Sequence, residues 1–308
     1  MGNIIAVDLG GSKLVTGLVT RDGAILCSRR QNLTGIKYDI ETIRVKIRES
    51  IKDLENQYGE LDAEALGMSI PGTCDPVRGI FLQNFSTGIT NWHIADELRE
   101  EYRLPVSVDN DVNACAVAEK VYGSCQEFSD YLWVTVSYGC GGALFLNGRL
   151  FRGKNYLAGE VGHIPVEHEH PSRCGCGIYG DMEAEGAGTA IGRKYLELTG
   201  RAPDPSFMSR DVSALARSGD PVAMGLFRKS GYYLGKLCAM TCNLLNIQKA
   251  VIGGGVAVYD FDLMKADIDR ALAELVIPPS KSSFYVEKTA LGYNASLMGA
   301  AALTFYGS

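Results

Sequence analysis

The chain predicts a duplicated α/β fold, two α/β lobes with a cleft between them. Three observations point there. Each half opens on a β-hairpin with a glycine-rich turn. Apolar strands alternate with stretches of helical period, and a third glycine run breaks a strand late in the chain. With 308 residues the chain can bury a large core and divide into two domains.

Taken in order, residues 4–7 form an apolar strand, Gly10-Gly11-Ser12 a tight turn and residues 14–20 a second strand. Arg21-Asp22-Gly23 turns into a third strand at 24–30. Residues 40–57 predict a helix, with Ile40, Ile43, Ile47, Ile51 and Leu54 on one face. A strand at 65–70 ends at Pro71-Gly72, a helix follows near 94–102, and a strand at 106–108 delivers Asn110-Asp111 at its end. The second hairpin begins at Tyr131: a strand at 132–136, the run 137–142, a strand at 143–146, and Asn147-Gly148 as a type I′ turn signal. A long helix near 222–246 feeds a strand at 249–252, which breaks at Gly253-Gly254-Gly255. Residues 201–206, with two prolines, form a loop. The domain boundary is placed near residue 118, after the helix that Val112 begins.

Composition narrows the function. Apolar residues make up 46% and charged residues 21%, as in ordinary soluble domains. A net charge of −6 without a basic cluster argues against nucleic acid as a partner. No apolar run approaches the roughly 20 residues of a membrane span, and the first residues lack the pattern of a secretion signal. Nine cysteines, scattered among apolar neighbours such as those of Cys115, Cys238 and Cys242, suit reduced core thiols. The expectation is a cytoplasmic protein.

Four constellations carry chemistry. Asp8, Gly10, Gly11, Ser12 and Lys13 set a carboxylate, approachable amides, a hydroxyl and an ammonium around one turn, which suits a phosphate and a water-mediated Mg²⁺. The plain alternative is a hairpin turn in which glycine tolerates positive φ. Gly139-Cys140-Gly141-Gly142 and Gly253-Gly254-Gly255 are weak singly, but three such runs after β-rich segments favour a nucleotide phosphate site. Asn110 and Asp111 offer an amide for a hydroxyl and a carboxylate for its proton, or else an Asx turn or helix cap. His163, Cys174, Cys176 and Asp181 have zinc-ligand chemistry with glycines between them, although the cysteines also read as plain thiols and His168 and His170 as solvated loop residues. Glu160 and Glu183 flank this cluster as candidate acceptors for sugar hydroxyls.

In this order the motifs resemble the ROK family (repressor, open reading frame, kinase). They comprise Asp8-Leu-Gly-Gly-Ser-Lys13, Pro71-Gly72, Asn84 before Trp92, Asn110-Asp111-Val-Asn113, the 139–142 glycines, Gly159-Glu-Val-Gly-His163, Cys174-Gly-Cys176-Gly, Glu183 and Gly253-Gly-Gly255. The resemblance implies the actin-like ATPase (ribonuclease-H-like) fold and an ATP-dependent sugar kinase of glucokinase or allose-kinase type. It implies residues 1–118 with a C-terminal helix near 295–308 as a small lobe. Residues 119–294 would form a large lobe carrying a zinc-knuckle-like insert at 163–183. It assigns Asp111 as general base, and Asn84, Asn110, Glu160, His163 and Glu183 to the sugar. The 8–13 and 137–142 turns, with Ser137, Gly139 and Gly141, go to the ATP phosphates, and residues 253–255 to the adenosine side. ATP, Mg²⁺, a structural Zn²⁺ and a homodimer are the implied cofactors and assembly.

The chain departs from the family pattern at three places. Asp181 stands where a third cysteine is usual and Tyr138 where a phosphate-loop threonine is usual. The loop from Asn84 to Trp92 is longer than the common form. The implied reaction is attack of a hexose hydroxyl, the 6-hydroxyl, on the γ-phosphoryl group. The alternative is a non-catalytic or weakly catalytic sugar-binding regulator of the same family, without a DNA-binding domain because the first strand starts at Ile4.

Overall fold

A computed structural model describes residues 2–84 and 87–306. Phe85 and Ser86, in the long loop singled out above, and the last two residues of the expected C-terminal helix lie outside them. The chain divides into two compact units. The first comprises Met1–Glu127, Arg152–Leu157 and Asn294–Ser308, and the second Phe128–Phe151 and Ala158–Tyr293.

In the first unit, β1 (Asn3–Leu9), β2 (Lys13–Thr20) and β3 (Ile25–Asn32) form an antiparallel meander. α1 (Ile40–Tyr58) begins where the Asp39 side chain accepts from the Thr42 amide, and ends at Gly59 with φ 91°. Its buried stripe is Ile43, Ile47, Ile51 and Leu54, a spacing near four that keeps one face inward. Each such side chain contributes roughly 1.5–3 kcal/mol by leaving water. Ile40, expected on the same face, is only partly buried beside it. β4 (Ala63–Ile70) then joins β1 in parallel, with Asp8 opposite Ser69.

Three short strands absent from the sequence reading follow, β5 (Thr73–Asp75), β6 (Ile80–Gln83) and β7 (Thr90–Trp92), as a separate antiparallel sheet. They are too short to show a period. α2 (Ile94–Tyr102) leads to β8 (Val106–Asn110), parallel to β4, and straight into α3 (Asp111–Val121). The sheet order is β3-β2-β1-β4-β8.

The second unit repeats this topology. β9 (Tyr131–Val136), β10 (Cys140–Leu146) and β11 (Arg149–Phe151) form the meander, turned at Asn147 and Gly148 with φ of 54° and 72°. A loop-rich stretch leads to α4 (Met182–Gly186), α5 (Gly188–Leu198), α6 (Ser209–Arg217) and the long α7 (Pro221–Leu245). β12 (Lys249–Gly253) adds parallel to β9, α8 (Gly254–Leu275) follows, and β13 (Tyr285–Lys288) completes the order β11-β10-β9-β12-β13. The third glycine run is therefore not a hairpin turn. Gly254 and Gly255 open a 22-residue helix, with Gly253 as its cap.

α9 (Ala295–Ala302) returns to the first unit and packs Leu297, Ala300 and Ala301 against Ile4, Ala6 and Val19. Among the described residues no helix is long and apolar enough to cross a membrane.

Candidate functional site

The β1–β2 turn is built around Asp8, a carboxylate only 3% exposed. Its Oδ1 accepts from the Ser69 hydroxyl at 3.0 Å and the Ser296 hydroxyl at 2.6 Å, and its Oδ2 lies 3.3 Å from Lys13 Nζ. Both oxygens are engaged, so the group suits a cation held through water rather than by direct ligation. The Gly10 amide closes the turn on the Lys13 carbonyl at 2.8 Å, and the Tyr38 hydroxyl donates to the Gly10 carbonyl at 3.1 Å.

Neither Gly10 nor Gly11 has positive φ, and a Cβ on Gly11 would meet nothing within 4 Å. The fold does not require glycine there. Bare backbone beside an ammonium, with open space in front of it, is what an incoming anion needs.

Asp111 is the first residue of α3, in the positive field of that helix's N-terminus. Its Oδ1 accepts from the Val112 amide and from Asn110 Nδ2, both at 3.0 Å. Among the described residues nothing bonds Oδ2. Burial, and then repulsion from Asp8, push its pKa up to about 7, against the opposing amides of Val112 and Asp111 and the charge of Lys13. A carboxyl near neutrality with one unbonded oxygen can accept a proton. The Tyr38 hydroxyl is pushed up by burial and by the same two carboxylates, so it stays a neutral donor.

Asn110 is the cap of α3. Its Oδ1 accepts from the Val112 and Asn113 amides, while Nδ2 donates to Gly72 O and Asp111 Oδ1. Its amide is thus committed to the turn that aims Asp111. Asn84 is likewise held, Nδ2 donating to Pro71 O at 2.7 Å and Oδ1 accepting from the Thr87 amide at 3.1 Å.

In the second unit the 137–142 run is the β9–β10 turn and the first three residues of β10. The Ser137 amide donates to Gly139 O, and Gly141 pairs with Thr135 inside β10. Glu183 sits against this turn: Oε2 accepts from the Cys140 amide at 3.0 Å, and Oε1 faces the Cys174 thiol at 3.6 Å. Glu160 is exposed. Desolvation of its carboxyl, and then Glu183, raise its pKa while His163 opposes.

Beside the same turn lies a cavity of about 710 Å³ whose lining includes Ser137, Tyr138, Gly255, Tyr259 and Tyr293. Tyr138 is 72% exposed, and the Tyr259 and Tyr293 ring centroids are 5.4 Å apart. Arg217 forms the far wall, fixed by Asp262 and Asp260. The aromatic lining suits a flat ring system, and the start of α8 supplies free amides nearby. Sequence reasoning missed Tyr259 and Tyr293. Tyr259 was within reach of it, being four residues beyond Gly255 on one helix face; Tyr293 has no local signal.

The metal-like cluster converges. Single ligand atoms of His163, Cys174, Cys176 and Asp181 all lie within 4.8 Å of one another. His163 Nδ1 is 3.0 Å from Asp181 Oδ2, 3.8 Å from Cys174 Sγ and 3.5 Å from Cys176 Sγ, and Cys176 Sγ is 3.6 Å from Asp181 Oδ2. Bonds of roughly 2.0–2.3 Å in a tetrahedron need edges of this size, so the four residues fit zinc. Asp181, fully buried, also caps α4 through Oδ1 to the Ala184 amide at 2.8 Å. With Nδ1 turned to the cluster, His163 keeps Nε2 for another ligand.

Comparison with known proteins identifies the family. The profile of the ROK family matches residues 4–305. A glucokinase of Halalkalibacterium halodurans is 28% identical over 307 residues, covering 96% of this chain and 92% of that one. The DNA-binding transcriptional dual regulator NagC of Escherichia coli is 30% identical over 276 residues, covering 88% of this chain and 64% of the regulator. Among solved structures, a ROK family glucokinase from Streptomyces griseus in complex with glucose and AMPPNP matches with a TM-score of 0.83 and 28% identity. That match covers 98% of this chain and 99% of the other.

Proposed function

The chain belongs to the ROK family and has its actin-like ATPase fold, and on that premise we propose that it is an ATP-dependent sugar kinase acting on a hexose hydroxyl, the 6-hydroxyl. One observation carries the reading: the unbonded Oδ2 of Asp111, on a carboxyl whose pKa of about 7 suits proton transfer at neutral pH.

Asp111 Oδ2 takes the hydroxyl proton as the sugar oxygen bonds to the γ-phosphorus, and the bond from that phosphorus to the bridging oxygen breaks to release ADP. Lys13 and the Gly11 amide offset charge on the phosphates. Asp8 would hold, through water, a Mg²⁺ arriving with the nucleotide, which would supply further charge neutralisation. The cavity beside Gly255 takes the adenosine, with Tyr259 and Tyr293 against the base. Glu160, His163 and Glu183 read sugar hydroxyls, and His163, Cys174, Cys176 and Asp181 would hold a zinc that would fix the segment presenting them.

The two kinds of relative favour different readings, since one is a glucokinase and the other a transcriptional regulator. A sugar-binding regulator with little or no turnover is the second reading, and Tyr138 in place of a phosphate-loop threonine favours it. A coupled ADP-release assay across glucose, mannose, fructose, allose, N-acetylglucosamine and N-acetylmannosamine separates them. Turnover with at least one sugar is expected. Sugar binding without turnover for any of them overturns the kinase reading in favour of the regulator.

A further inference from the structure

We propose that Arg152 is a positioning residue for Asp111: it holds the buried Asp109 carboxylate, and through it the turn from which Asp111 projects. The inference rests on Asp111 being the base of the kinase reading.

Asp109 is 1% exposed at the end of β8, two residues before Asp111. All its acceptor capacity is used. Oδ1 accepts from the Asn110 amide at 2.7 Å and from Asn113 Nδ2 at 2.9 Å. Oδ2 accepts from Arg152 Nε at 2.9 Å and Nη2 at 2.7 Å. Asn110 in turn donates Nδ2 to Asp111 Oδ1. An unbroken set of bonds therefore runs from the guanidinium through Asp109 and Asn110 to the base, leaving Oδ2 of Asp111 free.

Arg152 lies 43 residues from Asp109 in sequence. It begins the hexapeptide 152–157, which belongs to the first unit although the chain on either side belongs to the second. Tyr156, near the other end of that hexapeptide, has φ 61°.

A buried carboxylate without its cation must bind a proton, rotate towards water or remain as an unpaired charge. Rotation takes the acceptor from Asn110 and Asn113 and loosens the turn, and a proton on Oδ2 leaves Oδ1 a weaker, neutral acceptor for the same two groups. The third places a second uncompensated negative charge two residues from Asp111. The ionisable groups already acting on Asp111 are Asp8 from β1, Lys13 from β2, Tyr38 before α1 and Cys115 within α3. Those acting around Asp109 are Arg152 and the Cys74 thiol. Arg152 is thus the cation that keeps Asp109 from adding to the repulsion Asp111 already feels from Asp8.

The test uses the full chain. Arg152→Gln is expected to lower kcat about ten-fold or more at pH 8 while changing the KM for ATP less than about two-fold, the pattern of a lost transition-state arrangement rather than lost binding. Adding Asp109→Asn, which removes the charge needing a partner but keeps an oxygen acceptor, should restore kcat to within about three-fold of wild type. Arg152→Lys, which keeps the charge and loses the fork, should fall between. A purely structural pair would lower the melting temperature of Arg152→Gln with kcat per folded molecule unchanged, and that result overturns the proposal. If Arg152→Gln does not fold, the double variant and Arg152→Lys decide: a double variant no more active than Arg152→Lys also overturns it.

A readout that needs no turnover separates this inference from the kinase reading. The ¹³Cγ titration of Asp111, assigned by its loss in Asp111→Asn, should move to higher pH in Arg152→Gln and return in the double variant. An unmoved midpoint overturns the proposal whether or not the wild type phosphorylates a sugar.

Discussion

The two units open on the same device, an antiparallel hairpin with a glycine-rich turn, yet the glycines are there for opposite reasons. At the β1–β2 turn Gly11 faces open space, and a Cβ on Gly10 would make only an ordinary contact, 3.4 Å from Lys13 O. At the β9–β10 turn a Cβ on Gly139 would lie 2.3 Å from Glu183 Oε2. One on Gly142 would lie 2.5 Å from Val161 Cγ2 and 2.9 Å from Gly159 O. The first turn leaves its backbone open, whereas the second keeps it bare for its own neighbours. On the proposed kinase reading, a motif repeated by topology is divided by chemistry, with reaction groups around the first turn and recognition and packing around the second.

The strongest way to break this division is to remove the base from the first unit. Asp111→Asn should lower kcat by about 10²–10⁴-fold, the usual weight of a general base, with the KM for sugar little changed. Its effect on stability should have the opposite sign. The folded pKa of about 7 lies above the unfolded value of 3.8, so the native state binds that proton more tightly. Stability from this group is therefore present below pH 3.8 and lost as pH rises through 7. At pH 8 the amide variant should melt at or above the wild-type temperature. A variant that is both active and less stable would contradict the division on both counts.

The glycines give the next largest contrast. Gly142→Ala must displace backbone and should cost about 1–3 kcal/mol in denaturant unfolding, as overpacking does. Gly11→Ala should leave stability unchanged or improve it by a few tenths of a kcal/mol through the unfolded chain, while raising the KM for ATP several-fold. Equal stability losses in the two would mean that Gly11 is a packing glycine after all.

These glycines also show what was legible in the sequence. The hairpins, α1, α2 and α7 were readable because each has a local signal. Examples are the four-residue spacing from Ile43 to Leu54 and the Asn147-Gly148 turn. β5 to β7 and α4 to α6 were not. They are short, and tertiary contacts such as Ser230 Oγ to Gly186 O, 44 residues apart, hold them rather than periodicity. In the candidate site, Asp8, Asp111 and the His163–Asp181 set could be named because glycines and chemistry-bearing residues cluster in sequence. Ser296, bonded to Asp8 across 288 residues, and Arg152, bonded to Asp109 across 43, leave no local trace. The reason a glycine is present lies in space, so sequence offered both explanations for each run and could not choose between them.

The zinc set tests whether the second unit depends on more than packing. Purified protein should carry near-stoichiometric zinc, and Asp181→Ala should weaken zinc binding by roughly ten- to a hundred-fold. Stripping the metal with a chelator should raise the KM for sugar more than it lowers kcat if, as proposed, the reaction groups belong to the other unit. A zinc-free protein with wild-type kinetics and melting temperature would instead assign this segment to packing alone, with Asp181 serving only as the cap of α4.

The smallest expected effect is the most selective. With Asp111 near 7, kcat/KM should rise with pH up to about 7 and flatten above it, falling about ten-fold for each unit below. The charges around the first turn set that limb with predictable sign. Lys13 lowers the pKa of Asp111, so Lys13→Met should move the limb to higher pH. Asp8 raises it, so Asp8→Asn should move the limb to lower pH. Shifts of roughly half a unit to one unit correspond to about three- to ten-fold in rate at a fixed pH on the limb. On the proposed reading Lys13 also meets the phosphates and Asp8 the Mg²⁺, so absolute rates should fall in either variant and only the limb's position is informative. Substitutions at the second turn, Gly139→Ala included, should leave that position unmoved. A limb that followed the second turn and ignored Lys13 and Asp8 would mean that the titrating base is not Asp111.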